Sequence, residues 1–167
     1  MFILGFYNFY SNIAAIIINF PLKTTRIKYF LLLKLLIVDN HNSIRSQILE
    51  AYLAKALNKR AQVISAGKEA TGIDPQAIRI MAEDGYVIAG QTSKTLKEVE
   101  AYPYNAILFC AENIMLEADL KTEQCPVFYA NFSQIEGFGG VERLQELRVL
   151  RDEIKSFAKE LASTLLK

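Results

Sequence analysis

The sequence predicts an α/β fold, a three-layer α/β/α sandwich with a central four-stranded parallel sheet. Short apolar runs alternate along the chain with longer segments whose apolar residues recur at helical spacing, which is typical of a parallel sheet covered by helices on both faces. The first run, "LLKLLIV", is almost continuously apolar, as expected of a strand buried on both faces. The chain of 167 residues suits one domain with a sizeable core.

Four short apolar runs are predicted to form the strands. Each is short enough for a buried strand and is separated from the next by a segment of helical periodicity. In chain order these runs are "KLLIV" (34–38), "AQVIS" (61–65), "YNAILFC" (104–110) and "CPVFYANF" (125–132).

The segments between and after these runs are predicted to be helices because of their apolar periodicity. The second helix has the clearest ends, with Asp74 as N-cap, Pro75 at the first position and Gly85 as the stop. Ser93 is expected to open the third helix. The four segments are "SQILEAYLAKALNK" (46–59), "DPQAIRIMAEDG" (74–85), "SKTLKEVEAY" (93–102) and an amphipathic C-terminal stretch from Val141 to Leu165.

Composition narrows the functional classes. The 19 Lys and Arg residues nearly balance the 18 Asp and Glu residues, so net charge gives no reason to expect a nucleic-acid partner. A single histidine excludes a multi-histidine metal site. Two cysteines fit a reducing compartment better than a disulfide scaffold, so we expect a cytoplasmic protein.

Residues 1–33 form an apolar N-terminal extension that is distinct from the predicted domain, residues 34–167. Residues 2–22 contain no charge and are long enough to cross a bilayer, and basic residues follow them, which would keep the domain on the inner face of the membrane. The alternatives are a surface helix or a spurious upstream translation with the natural start near Leu33. A membrane partner is expected only if this extension is real.

The stretch "VDNHNSIRSQ" (38–47) follows the first predicted strand and precedes a helix. Ligands of parallel sheets bind outside the carboxyl ends of the strands, so this loop is the expected site. Its backbone N–H groups and the helix N-terminus suit an oxyanion, and Asn42 tolerates a left-handed backbone. Arg45 can clamp two oxygens, and Ser46 can donate to the group at position 39. The expected oxyanion-binding residues are Asn40, His41, Asn42, Ser43, Ile44 and Arg45. The alternative is a plain strand-to-helix turn.

The spacing of Asp39 and Arg45 resembles the Cys-x5-Arg-Ser phosphate loop of low-molecular-weight protein tyrosine phosphatases. It is closer still to the V-C-x-H-N-S-A-R-S-Q loop of their relatives, the thioredoxin-coupled arsenate reductases. Further stretches that resemble this superfamily are "VISAGKEATGIDPQAIRIMAEDGYVI" (63–88), "QTSKTL" (91–96) and "LRVLRDEIKSF" (147–157). The resemblance covers residues 34–166 and implies a phosphotyrosine protein phosphatase I-like fold with a phosphate or arsenate-like oxyanion as ligand.

The resemblance makes Asp39, Arg45 and Ser46 the catalytic positions, but the superfamily's chemistry needs a thiolate where Asp39 stands. A carboxylate is a far weaker nucleophile, and Arg45 would neutralise it. We therefore expect Asp39 to be the resident anion of its own pocket and catalysis to be impaired. The alternatives are an active arsenate reductase or phosphatase that uses relocated catalytic groups, or a thiol-redox protein that uses Cys110 and Cys125.

A second catalytic position also departs from the superfamily. There an Asp-Pro dipeptide after an aromatic stretch protonates the leaving group. In "YANFSQIEGF" (129–138) the matching residues are Gln134 and Ile135, and an amide is no general acid. Glu136, two positions away, is a candidate substitute.

The resemblance also implies a thiol pair and an ion site. Cys110 and Cys125 match cysteines that carry oxidising equivalents outward in the reductases, which would imply a thioredoxin-like or other protein partner. The alternative is one structural and one surface cysteine. No cofactor is expected to be required, although residues resembling Asn42, Glu50 and Ser65 bind potassium in some of the reductases.

Overall fold

The structure is a computed structural model that describes residues 32–110, 125–135 and 140–166. Its strands are β1 (Leu33–Asp39), β2 (Ala61–Gly67), β3 (Ala106–Phe109) and β4 (Val127–Tyr129). Its helices are α1 (Arg45–Leu57), α2 (Pro75–Glu83), α3 (Leu96–Val99) and α4 (Gly140–Leu165). All four predicted strands and all four predicted helices are present in the predicted order.

The four strands form one parallel sheet with the order β2-β1-β3-β4, which confirms the predicted sheet. β1 pairs with β2 along its whole length, from Leu33 opposite Ala61 to Asp39 opposite Gly67. The chain leaves β1 for β2 on one side and returns to β3 on the other. The carboxyl end of β1 is therefore the topological switch point, where parallel sheets usually bind ligands.

Helices cover both faces of the sheet, so the fold has three layers. Side chains alternate along β1, so that Leu35 and Ile37 pack against α1, α2 and α4 in the larger core. Leu36 and Val38 face the opposite side and pack with Val99 of α3 in a smaller core. The two cores confirm the predicted α/β/α sandwich.

The predicted ends of α2 are also confirmed. The Asp74 side chain accepts hydrogen bonds from the backbone N–H groups of Gln76 and Ala77, at 2.7 and 3.1 Å, so it caps the helix. Gly85 follows the helix with a φ of +79°, a conformation that glycine adopts without strain.

The third helix is shorter than predicted. It begins after Thr95 rather than Ser93, and Thr95 forms a capping box with Glu98. Residues 92–94 are not helical because their backbone is hydrogen-bonded to other segments: Thr92 O accepts from the Gln47 side chain and Lys94 O accepts from Gly67 N–H.

The third and fourth strands are also shorter than the predicted runs 104–110 and 125–132. Phe132 lies beyond the end of β4, and its ring contacts Phe157 of α4 edge to face, with centroids 5.3 Å apart. Phe132 made the predicted strand too long, because its apolar side chain packs against a helix and is not part of the strand.

Among residues 32–110, 125–135 and 140–166, no helix has the length and apolar character needed to cross a membrane. The membrane-anchor prediction rests on residues 1–33, of which 1–31 lie outside the described part of the chain.

Candidate active site

Asp39 is the last residue of β1, and Arg45 is the first residue of α1. The guanidinium meets the carboxylate in a fork, with Nη2 2.6 Å from Oδ1 and Nε 3.3 Å from Oδ2. The backbone N–H of Asn40 also donates to Oδ1, at 2.9 Å. Only 6% of the Asp39 side chain and 18% of the Arg45 side chain are exposed. The loop thus encloses a negative charge that belongs to the protein itself.

Asn42 holds the middle of the loop in place. Its φ of +47° is the left-handed conformation that the sequence predicts, and the residue is fully buried. The amide Nδ2 donates to the hydroxyl oxygens of Ser46 and Ser65, at 3.0 and 2.8 Å. Ser46 was expected to donate toward position 39. The hydroxyl oxygen of Ser46 accepts from Asn42, and its role as a donor toward position 39 stays a prediction.

Gln47 is a loop-supporting residue that the sequence analysis did not single out. Its fully buried side chain donates from Nε2 to Asn42 O at 3.1 Å, Asn42 Oδ1 at 3.0 Å and Thr92 O at 3.3 Å. Its place directly after Arg45-Ser46 was the available signal, since a polar side chain in the first turn of a buried helix needs partners.

Asn42, Glu50 and Ser65, the predicted potassium ligands, lie together beneath the loop. Glu50 Oε2 accepts from the backbone N–H of Ser65 at 2.8 Å. The ammonium of Lys94 lies 3.9 Å from the same oxygen and donates to Thr92 O at 2.7 Å. With a cationic side chain already at this carboxylate, and with the Asn42 amide presenting its NH2 group to Ser65, the arrangement does not fit a potassium ion.

The end of β2 closes tightly against the loop. Lys68 N–H donates to Asp39 O at 3.1 Å, and Glu69 N–H donates to Asn40 O at 2.9 Å. A Cβ atom at Gly67 would lie 2.4 Å from Glu69 O and 2.7 Å from Asn42 N. Glycine is therefore required here by the close approach of backbone.

A pocket of about 580 Å³ opens at this end of the sheet. Its lining comes from the loop between Asp39 and Arg45, from the stretch after β4, which includes Gln134 and Ile135, and from Leu150 of α4. The structure therefore brings the predicted general-acid position to the same pocket as Asp39. Glu136, the predicted substitute, lies outside the described residues. The loop residues at the pocket are Asp39, Asn40, His41, Ser43, Ile44 and Arg45.

His41 lies at the rim of this pocket. Its side chain is 62% exposed, with Nδ1 3.5 Å from a carboxylate oxygen of Glu69. Its backbone carbonyl accepts from the Thr71 N–H at 3.3 Å. This placement gives the imidazole a rim position, away from the buried Asp39 carboxylate.

The two cysteines are free thiols that pack against opposite faces of the sheet. Cys110 is fully buried in the larger core, and Cys125 packs against the smaller one. Burial raises the pKa of both thiols; at Cys110 the charge of Asp39 raises it further and Arg45 opposes it. Raised pKa values disfavour the reactive thiolate form of each cysteine, and a redox role for the pair stays a prediction.

Comparison with known proteins gives consistent matches. Residues 34–129 match the family model described as "Low molecular weight phosphotyrosine protein phosphatase". An arsenate reductase of Brevibacillus brevis is 33% identical over 126 residues, which are 74% of this chain and 89% of that protein. A glutaredoxin arsenate reductase of Synechocystis is 29% identical over 134 residues, covering 79% of this chain and 98% of that protein.

A solved structure described as "An arsenate reductase in the phosphate binding state" is similar to this chain with a TM-score of 0.67 and 26% identity. The match covers 79% of this chain and 98% of that structure. The matched family segment takes in three of the strands whole, all of β1 but Leu33, and the loop between Asp39 and Arg45. The chain therefore belongs to the low molecular weight phosphotyrosine protein phosphatase family, which includes arsenate reductase-like proteins.

Proposed function

We propose that this chain is a catalytically impaired member of its family, an oxyanion-loop protein whose loop is occupied by its own Asp39 carboxylate. The observation that carries the proposal is the fork between Arg45 and Asp39, at 2.6 and 3.3 Å, inside a buried loop. The guanidinium that would bind an oxyanion already has a bidentate partner.

The chemistry of the two side chains supports this assignment. Arsenate reduction and phosphoryl transfer in this family depend on a thiolate, and the sequence places Asp at that position. A carboxylate whose oxygens accept hydrogen bonds from Arg45 and from Asn40 N–H is a poor nucleophile. The residue at the general-acid position is Gln134, whose amide does not donate a proton to a leaving group at neutral pH.

An oxyanion would enter this loop by displacing the Asp39 carboxylate from Arg45. Phosphate or arsenate could then accept from the guanidinium, from loop N–H groups and from the start of α1. We propose that such binding changes the loop without turnover, in a reducing compartment such as the cytoplasm, which suits the two free thiols. A thioredoxin-like or glutaredoxin-like partner is needed only if turnover occurs.

Turnover by the full-length chain tests the proposal. Wild type, Asp39→Ala and Asp39→Cys are offered an aryl phosphate and, separately, arsenate with a thioredoxin or glutaredoxin reducing system. We expect wild type and Asp39→Ala to show the same turnover. Asp39→Cys should gain turnover because it restores a thiol beside Arg45. Asp39→Cys/Gln134→Asp adds a general acid and is expected to be faster still.

Two results would contradict the proposal. Turnover by wild type that Asp39→Ala abolishes would make Asp39 a working nucleophile. Turnover by wild type that survives Asp39→Ala but is lost in Cys110→Ser or Cys125→Ser would assign the activity to thiol chemistry.

A further inference from the structure

We propose that the Lys94 ammonium is the built-in cation of the polar cluster beneath the loop, and that it makes the loop's structure independent of potassium. The cluster consists of Asn42, Ser46, Glu50, Ser65 and Lys94. This role concerns how the loop is held and stands apart from whether the protein turns over a substrate.

The position of the ammonium is the first line of support. Lys94 Nζ lies 3.9 Å from Glu50 Oε2 and 2.7 Å from Thr92 O. A carboxylate and a carbonyl oxygen are the ligands that hard cations take in proteins. The side chains of Lys94 and Glu50 are 23% and 16% exposed, so the two charges face each other in a largely desolvated place.

The direction of the Asn42 amide is the second line of support. Its NH2 group donates to the hydroxyl oxygens of Ser46 and Ser65, so the amide presents donor hydrogens to these two side chains and offers them no ligand oxygen. Its Oδ1 already accepts from Lys94 N–H at 2.7 Å and from Gln47 Nε2 at 3.0 Å. The Asn42 amide is thus fully engaged with protein partners, so the Glu50 carboxylate is the group of this cluster that faces a cation.

Lys94 also joins three segments of the site through its backbone. Its N–H donates to Asn42 in the loop, and its carbonyl accepts from Gly67 N–H at the end of β2, at 2.8 Å. Its side chain reaches Glu50 in α1. One residue therefore balances the charge of Glu50 and holds Asn42 in its left-handed conformation, which makes Lys94 a positioning residue of the loop.

Thermal unfolding of the full-length chain tests this role. Wild type, Lys94→Ala and Lys97→Ala are compared in potassium chloride and in tetramethylammonium chloride at equal ionic strength. Lys97 is the matched control, because it lies three positions away with an exposed side chain. The Lys94→Ala change removes the ammonium and keeps both backbone hydrogen bonds.

We expect wild type and Lys97→Ala to unfold at the same midpoint in both salts. In tetramethylammonium, Lys94→Ala should unfold at a lower midpoint temperature than wild type. Potassium should raise the midpoint of this variant by about 3 °C or more, because the ion replaces the missing charge. Lys94→Arg should behave like wild type. Adding Glu50→Gln to Lys94→Ala should remove the potassium response.

The proposal is overturned if potassium raises the midpoint of wild type, or if Lys94→Ala folds and does not respond to potassium. If Lys94→Ala does not fold, the double variant Lys94→Ala/Glu50→Gln decides. Folding of that variant supports the proposal, because both charges are then absent, and failure to fold contradicts it. These measurements do not involve turnover, so their outcome is independent of the test of the proposed function.

Discussion

Arg45 and Asp39 form a forked ion pair at the two ends of one loop, with Nη2 2.6 Å from Oδ1 and Nε 3.3 Å from Oδ2. The pair joins the carboxyl end of β1 to the amino end of α1. Because both side chains are largely buried, each charge depends on the other for compensation. This dependence leads to the first prediction.

Replacing only one partner of this pair should destabilise the protein more than replacing both. Arg45→Met leaves the Asp39 carboxylate buried without its counter-charge, which costs about 3–5 kcal/mol in such pairs. Asp39→Asn/Arg45→Met removes both charges and should cost less than either single change, and so clearly less than their sum. Urea unfolding of the four proteins in this cycle gives the coupling free energy. Additive changes in the free energy of unfolding would mean that the pair does not act as a unit.

Gly67→Ala should destabilise the protein and disturb the loop. The added Cβ would meet backbone atoms of Glu69 and Asn42 at 2.4 and 2.7 Å, so no side-chain rotation relieves the clash. We expect a loss of about 1–3 kcal/mol in the free energy of unfolding. Gly90→Ala is the matched control, because its Cβ would have no described heavy atom within 4 Å. Equal stability of the two variants would contradict the prediction that a Cβ atom at Gly67 clashes with the backbone.

The cap of α2 should contribute to acid sensitivity. Burial alone would raise the pKa of Asp74, but hydrogen bonds from Arg143 and from the N–H groups of Ala77 and Gln76 outweigh it, so the pKa lies below the ordinary value of 3.8. A lowered folded-state pKa stabilises the protein above the ordinary value, and this contribution is lost as pH falls through the folded-state value.

Asp74→Asn should therefore lose stability at neutral pH and show a weaker decline in stability below about pH 4 than wild type does. Urea unfolding across this range measures both effects. Asp152→Asn is the control, because the Asp152 side chain is 62% exposed. A decline in Asp74→Asn as steep as in wild type would show that the cap does not govern this acid response.

The thiol of Cys110 should report the charge at position 39. Its pKa is raised first by burial and then by the Asp39 carboxylate, while Arg45 lowers it. Asp39→Asn removes the negative charge and should lower the pKa of Cys110, whereas Arg45→Met should raise it. The pH dependence of alkylation, measured in a Cys125→Ser background, detects both shifts. Shifts in the same direction in the two variants would rule out this electrostatic account.

Local sequence patterns were sufficient for much of this fold. The run "KLLIV" forms a strand that is buried on both faces, and its continuous apolar character is enough to predict this. The residues that begin and end α2, Asp74 and Gly85, could also be recognised from the local sequence. The loop residues Asp39 and Arg45 could be paired from their spacing, because a strand end and the following helix start are adjacent in any tight loop.

The residues that the sequence did not reveal act over long separations. Lys94 is predicted from local pattern to lie inside a helix, but the structure places it before α3. There it is hydrogen-bonded to Asn42 and Gly67 and forms an ion pair with Glu50, in three other segments. The crowding at Gly67 likewise depends on how β2 packs against the loop. Such contacts follow from tertiary packing, and no local periodicity encodes them.

The most direct test of the central claim is the affinity of the full-length chain for inorganic phosphate, measured by titration calorimetry on wild type and Asp39→Ala. Glu69→Ala, which removes an exposed rim carboxylate, controls for net charge. If Asp39 is the resident anion, Asp39→Ala should bind phosphate at least about tenfold more tightly than wild type or Glu69→Ala, and Arg45→Met should abolish the gain. Equal or tighter binding by wild type would contradict the account.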